Sequence, residues 1–484
     1  MLNWLTKRLT AKSPEGIGLG ALRMLRARYD AAVTNDENRR HWANADGLSA
    51  NAANSPDVRR NLRNRSRYEV ANNSYARGIV LTLANDVVGT GPRLQMLTDN
   101  TDANRQVEQA FTVWSKSIGL AEKLRTMRLA RATDGEAFGI LTSNPQLATA
   151  IQLDLRLVEA DQITTPDLNS LVAGAIDGIV FDNFGNPAEY HVLKSHPGDA
   201  SAFGGNDYER LPATSVIHWF RADRPGQARG VPDIMPALPL FAQLRRFTLA
   251  VISAAETAAD FAGILYTDAP ANGEADLAEP FEPIELEKRA LVTMPGGWKM
   301  SQLQAEQPDT TYAEFKREIL NEIARCLNMP FNVAAGNSSG YNYASGRLDH
   351  QTYFKSLRVE QAHIECVILD RILAAWLDEA ALIPGLLPAG LGPFAEWNHQ
   401  WFWDGQEHVD PAKEATAQAT RLSNHTTTLA YEYARQGRDW EEALRQRAVE
   451  VELMRELGLD AAPQPAPSSE SETIEEKDFE EQAA

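Results

Sequence analysis

The most constraining stretch of this sequence runs from 237 to 346. Two apolar helical stripes there flank a segment without helical period whose first part is acidic. Pro232 and Pro236 introduce the first stripe, and Leu240, Leu244, Phe247, Val251 and Ala255 recur at steps of three or four. Residues 268–287 then hold seven acidic side chains and no basic one, which reads as a solvated surface. Segments 291–294 and 298–303 suggest two short strands around Pro295-Gly296-Gly297. Thr311 and Glu314 fit a capping box, Phe315, Ile319, Ile323 and Leu327 form the second stripe, and Pro330 stops it. Sixteen residues without charge follow, 331–346, an unusual length for a loop inside a compact domain. Helix is expected again over 347–377, with Leu348, Phe354, Leu357, Ile364, Ile368 and Leu373 as core.

The N-terminal half is of a different kind. Residues 57–88 read as one helix with a basic face (Arg59, Arg60, Arg63, Arg65, Arg67) and an apolar face (Ile79, Val80, Leu83, Val87), ended by Gly89 and Gly91-Pro92. A second helix is expected over 101–118, on Val107, Phe111 and Trp114. From 136 to 220 short β-type segments alternate with turn residues, at 137–141, 151–158, 178–181, 189–193 and 216–220. A hairpin connection is expected at Asp182-Asn-Phe-Gly-Asn-Pro187. The fold class is therefore α+β. Beyond 397 come Trp397, Trp401 and Trp403, a helix start at Asp410-Pro411, and three helical stretches to about 457.

Charge and composition exclude several classes. With 47 Lys+Arg against 66 Asp+Glu the chain carries −19, a poor balance for general nucleic-acid binding, which rests on neutralising phosphates. Residues 1–20 lack a continuous apolar run of signal-peptide type. Pro384, Pro388 and Pro393 break the one late apolar run, so a soluble protein with no membrane span is expected. Two cysteines, Cys326 and Cys366, make neither a disulfide framework nor a four-thiolate zinc site, and a reduced setting is the default.

Catalytic and metal motifs are missing: no phosphate-binding loop, no H-E-x-x-H, no G-x-S-x-G and no Cys/His zinc spacing. His399 and His408, with tryptophans between them, suit aromatic packing better than a metal. Cys326 reads as an inert core thiol, and Asp134 and Glu136, flanking Gly135, read as solvated acids of a turn. No catalytic residue, metal or cofactor is expected. The order of parts says more. Two long helices joined through a small excursion stand antiparallel, with the excursion at one end and the uncharged loop at the other. Around a ring, neighbouring copies would bury the stripes and the arrangement would line a channel. An ordinary helical domain with long loops has the same periodicity.

Several short pieces, in order, resemble a known family. They are Leu62-Arg-Asn-Arg-Ser-Arg-Tyr, Asn72-Asn73, Val87-Val88-Gly89-Thr90-Gly91, Arg229-Gly230-Val231-Pro232, Tyr341-Asn-Tyr-Ala-Ser-Gly-Arg347 and Asp410-Pro411-Ala-Lys-Glu-Ala-Thr. From about 25 to 458 the chain resembles the lambda-type portal proteins of tailed bacteriophages. The resemblance implies a multi-domain portal fold assembling as a ring, usually of twelve, around a DNA channel at one capsid vertex. It implies a mobile basic arm at 1–24, a wing at 25–236, stem helices at 237–260 and 311–329, and a clip at 261–310. A tunnel loop at 330–346, a long helix returning to the wing at 347–403, crown helices at 404–458 and a disordered acidic tail at 459–484 complete it. The channel residues would be Asn337, Ser338, Ser339, Tyr341, Asn342, Tyr343 and Arg347, and the clip contact Glu282, Glu285, Glu287, Trp298 and Lys299. Implied partners are the terminase large subunit, major capsid and scaffold proteins, a head–tail connector and double-stranded DNA, in the virion and, during assembly, the host cytoplasm. Another virion connector or minor head protein, or a soluble enzyme with a scattered site, stands as the alternative.

Overall fold

A computed structural model of the chain describes residues 36, 38–165, 174–199, 207–259, 263–267, 298–302, 309–340, 343–388, 397–405 and 411–459. The arm expected at 1–24, the tail beyond 459, the acidic run 268–287 and the strand expected at 291–294 lie outside those residues.

The helix expected over 57–88 is two helices, Pro56–Asn72 (α1) and Ser74–Val88 (α2). Asn73 leaves the helical region, and its side-chain oxygen caps α2 by accepting the N–H groups of Tyr75 and Ala76. Gly89, at φ +55°, ends α2 as its sequence requires. Arg93–Met96 (β1) follows, then Thr101–Ser117 (α3), which buries Val107, Phe111 and Trp114 as its spacing predicts. Leu120–Asp134 (α4) went unpredicted. Its buried side mixes Leu124 and Met127 with Arg128 and Arg131, so the apolar period is weak although the helix is central.

Two antiparallel sheets complete this part. Glu136–Ser143 (β2) lies between Leu153–Val158 (β3) and Val216–Phe220 (β8). Ala175–Ile176 (β4), Ile179–Phe181 (β5), Pro187–Leu193 (β6) and Tyr208–Pro212 (β7) pair in sequence order, with β5 and β6 joined at the expected 182–187 turn. The Asp182 carboxylate there accepts the N–H groups of Phe184 and Asn186.

Leu238–Ala259 (α5) and Asp309–Arg325 (α6) are the two striped helices. α6 starts two residues before Thr311, so Thr311 lies inside the helix and the expected capping box does not mark its start. Burial along both stripes is graded. On the stripes Leu244, Ile319 and Ile323 are buried against the body, Phe247 and Val251 are half-buried, and Ala255 and Phe315 (45%) are exposed; off the α5 stripe Phe241 is buried, whereas Leu249 and Ile252 are 59% and 50% exposed. Phe247 bridges the helices, with ring centroids 4.4 Å from Phe315 and 5.7 Å from Tyr312. Trp298–Gln302 (β10) pairs with Gly263–Thr267 (β9), a strand the sequence pattern did not single out.

The uncharged stretch is not one long loop. Phe331–Ala335 (α7) is a short helix and Tyr343–Ile364 (α8) begins inside the stretch, leaving only 336–342 between them. Leu348, expected in the core, is 67% exposed on α8. A π-helical segment, Glu365–Leu369, then leads into Asp370–Ala380 (α9). The wider turn sets Glu365 and Asp370 toward the same aromatic segment: Glu365 accepts the Trp403 indole N–H (2.6 Å) and Asp370 that of Trp401 (2.9 Å). His399–Phe402 (β11) pairs with β1, and Trp401 packs with Phe111, 5.6 Å between centroids. Pro411–Ser423 (α10), Leu429–Arg435 (α11) and Trp440–Glu456 (α12) are the three expected C-terminal helices.

Candidate functional site

Of the channel residues named from the sequence, Asn337, Ser338 and Ser339 sit at the turn between α7 and α8. Pro330 precedes α7, whose fixed φ suits a helix entry. Gly336 and Gly340 take φ +62° and +82°, conformations that cost glycine little, and they bracket the exposed Asn337, Ser338 and Ser339. The Asn337 side-chain oxygen accepts the Ser339 N–H (2.9 Å), and the Asn337 N–H donates to the Asn332 carbonyl (3.0 Å). The tip therefore presents amide, hydroxyl and main-chain groups and no charge. Tyr341 and Asn342 lie outside the described residues; Tyr343 opens α8 and Arg347 lies in it.

Three contacts fix this tip to the body. Asn332 Nδ2 meets His350 Nε2 at 3.1 Å, the Arg317 guanidinium stands 5.7 Å over the Phe331 ring, and Tyr353 donates its hydroxyl to Asp86 (2.8 Å). Of the clip residues, Glu282, Glu285 and Glu287 lie outside the described residues. Trp298 and Lys299 open β10, opposite Thr267 and Tyr266, and Lys299 is exposed. Trp298 and Lys299 thus lie on the ribbon between α5 and α6, and Asn337, Ser338 and Ser339 on a separate turn after α6.

What holds the body is a buried charge network that the sequence reading missed. Asp134 and Glu136 are not solvated: they are 8% and 1% exposed. Glu136 accepts from Arg229 (2.7 Å), the Gly230 N–H (3.0 Å) and His218 Nε2 (3.1 Å). Burial would raise its pKa, but the Arg229 charge and the hydrogen bonds from His218 and Arg229 hold the carboxyl well below the usual range. Arg229 also reaches Asp177 and the Ile163 carbonyl (3.0 Å), and Arg59 pairs with Asp177. Arg67 grips Asp134 with two bonds (2.7 and 2.9 Å) and reaches Asp161 (2.8 Å), which Arg63 meets at 3.1 Å.

The backbone explains the sequence around it. Gly135 takes φ +93°, and a Cβ there would meet Val231 and Pro232 at 2.4–2.6 Å; a Cβ on Gly230 would lie 2.1 Å from the Gly135 carbonyl. Asp134-Gly-Glu136 and Arg229-Gly-Val-Pro232 are thus pressed back to back. A signal did exist: Arg59, Arg63 and Arg67 are four apart and share one face of α1, unlike Arg60 and Arg65, so only those three can meet buried acids together. A second network ties Arg128 to Asp233 (3.0 Å) and Glu360 (2.6 Å), and Arg131 to Glu360 (3.1 Å), anchoring α8 to α4.

These charged groups are paired with one another inside the body. Glu159, Asp161 and His196 come close enough to suggest a cation, but the Arg67 guanidinium already lies 2.8 Å from Asp161 and 3.2 Å from Glu159. Burial pushes the Cys326 thiol up to about 11, which suits an inert thiol. His399 Nε2 faces Asp370 at 3.1 Å, beside the buried Trp397 and Trp401. Among the described residues no helix is long and apolar enough to cross a membrane.

Residues 20–361 match the family described as phage portal protein, lambda family. A probable portal protein of Halomonas phage phiHAP-1 is 25% identical over 430 residues, 82% of this chain and 81% of that protein. The portal protein of Escherichia phage N15 is 22% identical over 447 residues, 81% and 83% of the two chains. Among solved structures, a chain from the neck of a native gene transfer agent particle, computed with C12 symmetry, has a TM-score of 0.47 at 14% identity, covering 79% of this chain and 94% of that one. An HK97 family phage portal protein from Corynebacterium diphtheriae has a TM-score of 0.31 at 10% identity, covering 58% and 82%. The family match spans most of the chain, including the α1 arginines, the Arg229 motif, both striped helices and the uncharged tip, and the chain belongs to the lambda family of phage portal proteins.

Proposed function

We propose that the chain acts as a ring, of twelve copies by the family resemblance, through which double-stranded DNA enters and leaves a phage head at one vertex. In this reading α5 and α6 are the stem, β9–β10 belongs to the clip that docks the terminase large subunit, 336–342 is the tunnel turn and α10–α12 are the crown. Shell and scaffold proteins meet the ring during assembly in the host cytoplasm, and a head–tail connector meets it in the virion.

The observation that carries the reading is the graded burial of the stem stripes beside an uncharged, exposed tip. At the exposed end of the stripes Phe315 and Ala255 lack cover in a single chain, as do Leu249 and Ile252 on the other sides of α5, and neighbouring copies would supply it. A tip of Asn337, Ser338 and Ser339 offers soft contacts without binding phosphate tightly, as a conduit for sliding DNA requires. The chain has no hydrolysis of its own in this account; the packaging energy comes from the terminase. Mass photometry and negative-stain microscopy of the purified protein, with scaffold added, test it. A closed ring many times the 53.4 kDa of the chain is expected. Monomer alone at micromolar concentration, with scaffold and shell protein present, contradicts it.

A further inference from the structure

The side on which α5 and α6 meet fixes what each turns away. Phe247 of α5 stands 4.4 Å from Phe315 and 5.7 Å from Tyr312 between ring centroids, and Tyr312 donates its hydroxyl to Thr248 (3.3 Å). At 3.6 residues per turn, Arg246 points roughly 140° away from the middle of the α5 stripe. By the same count Glu314 and Glu318 point roughly 145° and 105° away from the middle of the α6 stripe. All three are exposed. So α5 turns a cation away from α6, and α6 turns two carboxylates away from α5.

Nothing within the chain answers these charges. Arg246, Glu314 and Glu318 pair with no opposite charge among the described residues. The cations beside them are committed elsewhere: Arg245 donates to the Tyr68 hydroxyl (3.3 Å), Lys316 stands over the Tyr75 ring (5.0 Å), and Arg317 stands over that of Phe331 (5.7 Å). Around Arg246 the surface is a shallow depression lined by Gln243, Phe247, the exposed Leu249 and Ala250. A lone surface cation, or a lone pair of acids, is ordinarily a solvated face. Here opposite charges lie on opposite sides of one helix pair, and the cation sits beside uncovered apolar surface.

We propose that α5 of one copy seats against α6 of the next, with Arg246 held between the neighbour's Glu314 and Glu318 and Leu249 covered beside it. This rests on the ring reading and adds which faces meet, and in which order. The levels agree. Phe247 meets Phe315, so Arg246 stands near the height of Phe315. At a rise of about 1.5 Å per residue, Glu314 and Glu318 lie about 1.5 and 4.5 Å to either side of that height, within reach of one guanidinium. A rotation axis along the helices keeps every copy at the same height, which brings the neighbour's carboxylates level with Arg246. The contact is heterologous: each copy offers its cation to one neighbour and its carboxylates to the other, so only a closed ring leaves none unmatched.

Two charge-reversed forms of the full chain test this, Arg246→Glu and the pair E314K/E318K, each assembled with scaffold added. Alone, each should give rings at about a tenth of the unaltered yield, because like charges then face one another across every contact. Mixed one to one they should recover it, since reversed face meets reversed face and unaltered face meets unaltered face. Native mass spectrometry of the mixed rings should find the two forms in equal number, as strict alternation demands. Monomers of both should keep the unaltered urea midpoint, because neither face is paired within the chain. Random composition in the mixed rings, no rings on mixing, or a shifted midpoint overturns this contact while the ring reading stands. An unaltered chain that stays monomeric overturns the ring reading itself, and the contact with it.

Discussion

The body and the turn between α7 and α8 use charge in opposite ways. Between α1, β2 and the Arg229 motif, four arginines and four acids are drawn together, several of them below 10% exposure, and each is paired. At the turn between α7 and α8, Asn337, Ser338 and Ser339 are exposed and uncharged. A chain at −19 thus places arginines where they join backbone segments and leaves them out of the tip. Buried pairs cost much desolvation; under the proposed function, a tip facing a sliding polyanion does better without charge.

The largest way to break this contrast is to delete one buried partner. Glu136→Ala leaves Arg229 and His218 facing an empty position and should cost roughly 3–5 kcal/mol in urea unfolding. The triple change of Asn337, Ser338 and Ser339 to Ala should stay within about 0.5 kcal/mol. Equal costs would erase the contrast.

Acid sharpens it next. The folded Glu136 carboxyl lies well below its unfolded value of about 4.3. Its contribution is therefore complete above that value and is lost as pH falls through the folded pKa, in strong acid. Glu136→Gln should lower stability at neutral pH and flatten the acid limb of a stability-versus-pH curve. An unchanged limb would mean that other carboxyls govern acid unfolding.

Legibility followed the same divide. The α5 and α6 stripes, α3 and five strands follow from periodicity, since each buries a regular face; the three C-terminal helices were expected too, although α12 buries no residue and α11 only Glu432. The α1–α2 break did not, because Asn73 ends one helix by caging the next with its side chain, a local choice invisible to period counting. α4 was missed and Glu136 misread for one reason: buried arginines and acids imitate a solvated face until tertiary pairing is known. Lack of charge marked out 331–346, within which Asn337, Ser338 and Ser339 form an exposed turn, but the loop's length was overestimated, since Phe331–Ala335 and the start of α8 are helical without any charged residue to mark a face.

Adding charge to the tip addresses function rather than stability. Lys at Asn337, Ser338 and Ser339 together should leave ring formation intact and slow packaging, with partial recovery at higher salt as the new phosphate contacts are screened. Misassembly without salt rescue would place the tip in a packing role. The smallest expected effect is on the ribbon: Trp298→Ala on β10 should leave the ring formed and weaken terminase binding severalfold, read by pull-down at matched ring concentration. Loss of the ring would make Trp298 a contact between copies.

The central claim is that the uncharged tip faces DNA inside a ring. A photo-crosslinking residue at Ser338, compared with one at the exposed Arg60 of α1, in heads filled with DNA reads this most directly. The account predicts crosslinks from position 338 to DNA in filled heads, none in empty ones, and none from position 60. Crosslinks from position 60 with none from position 338 would contradict it.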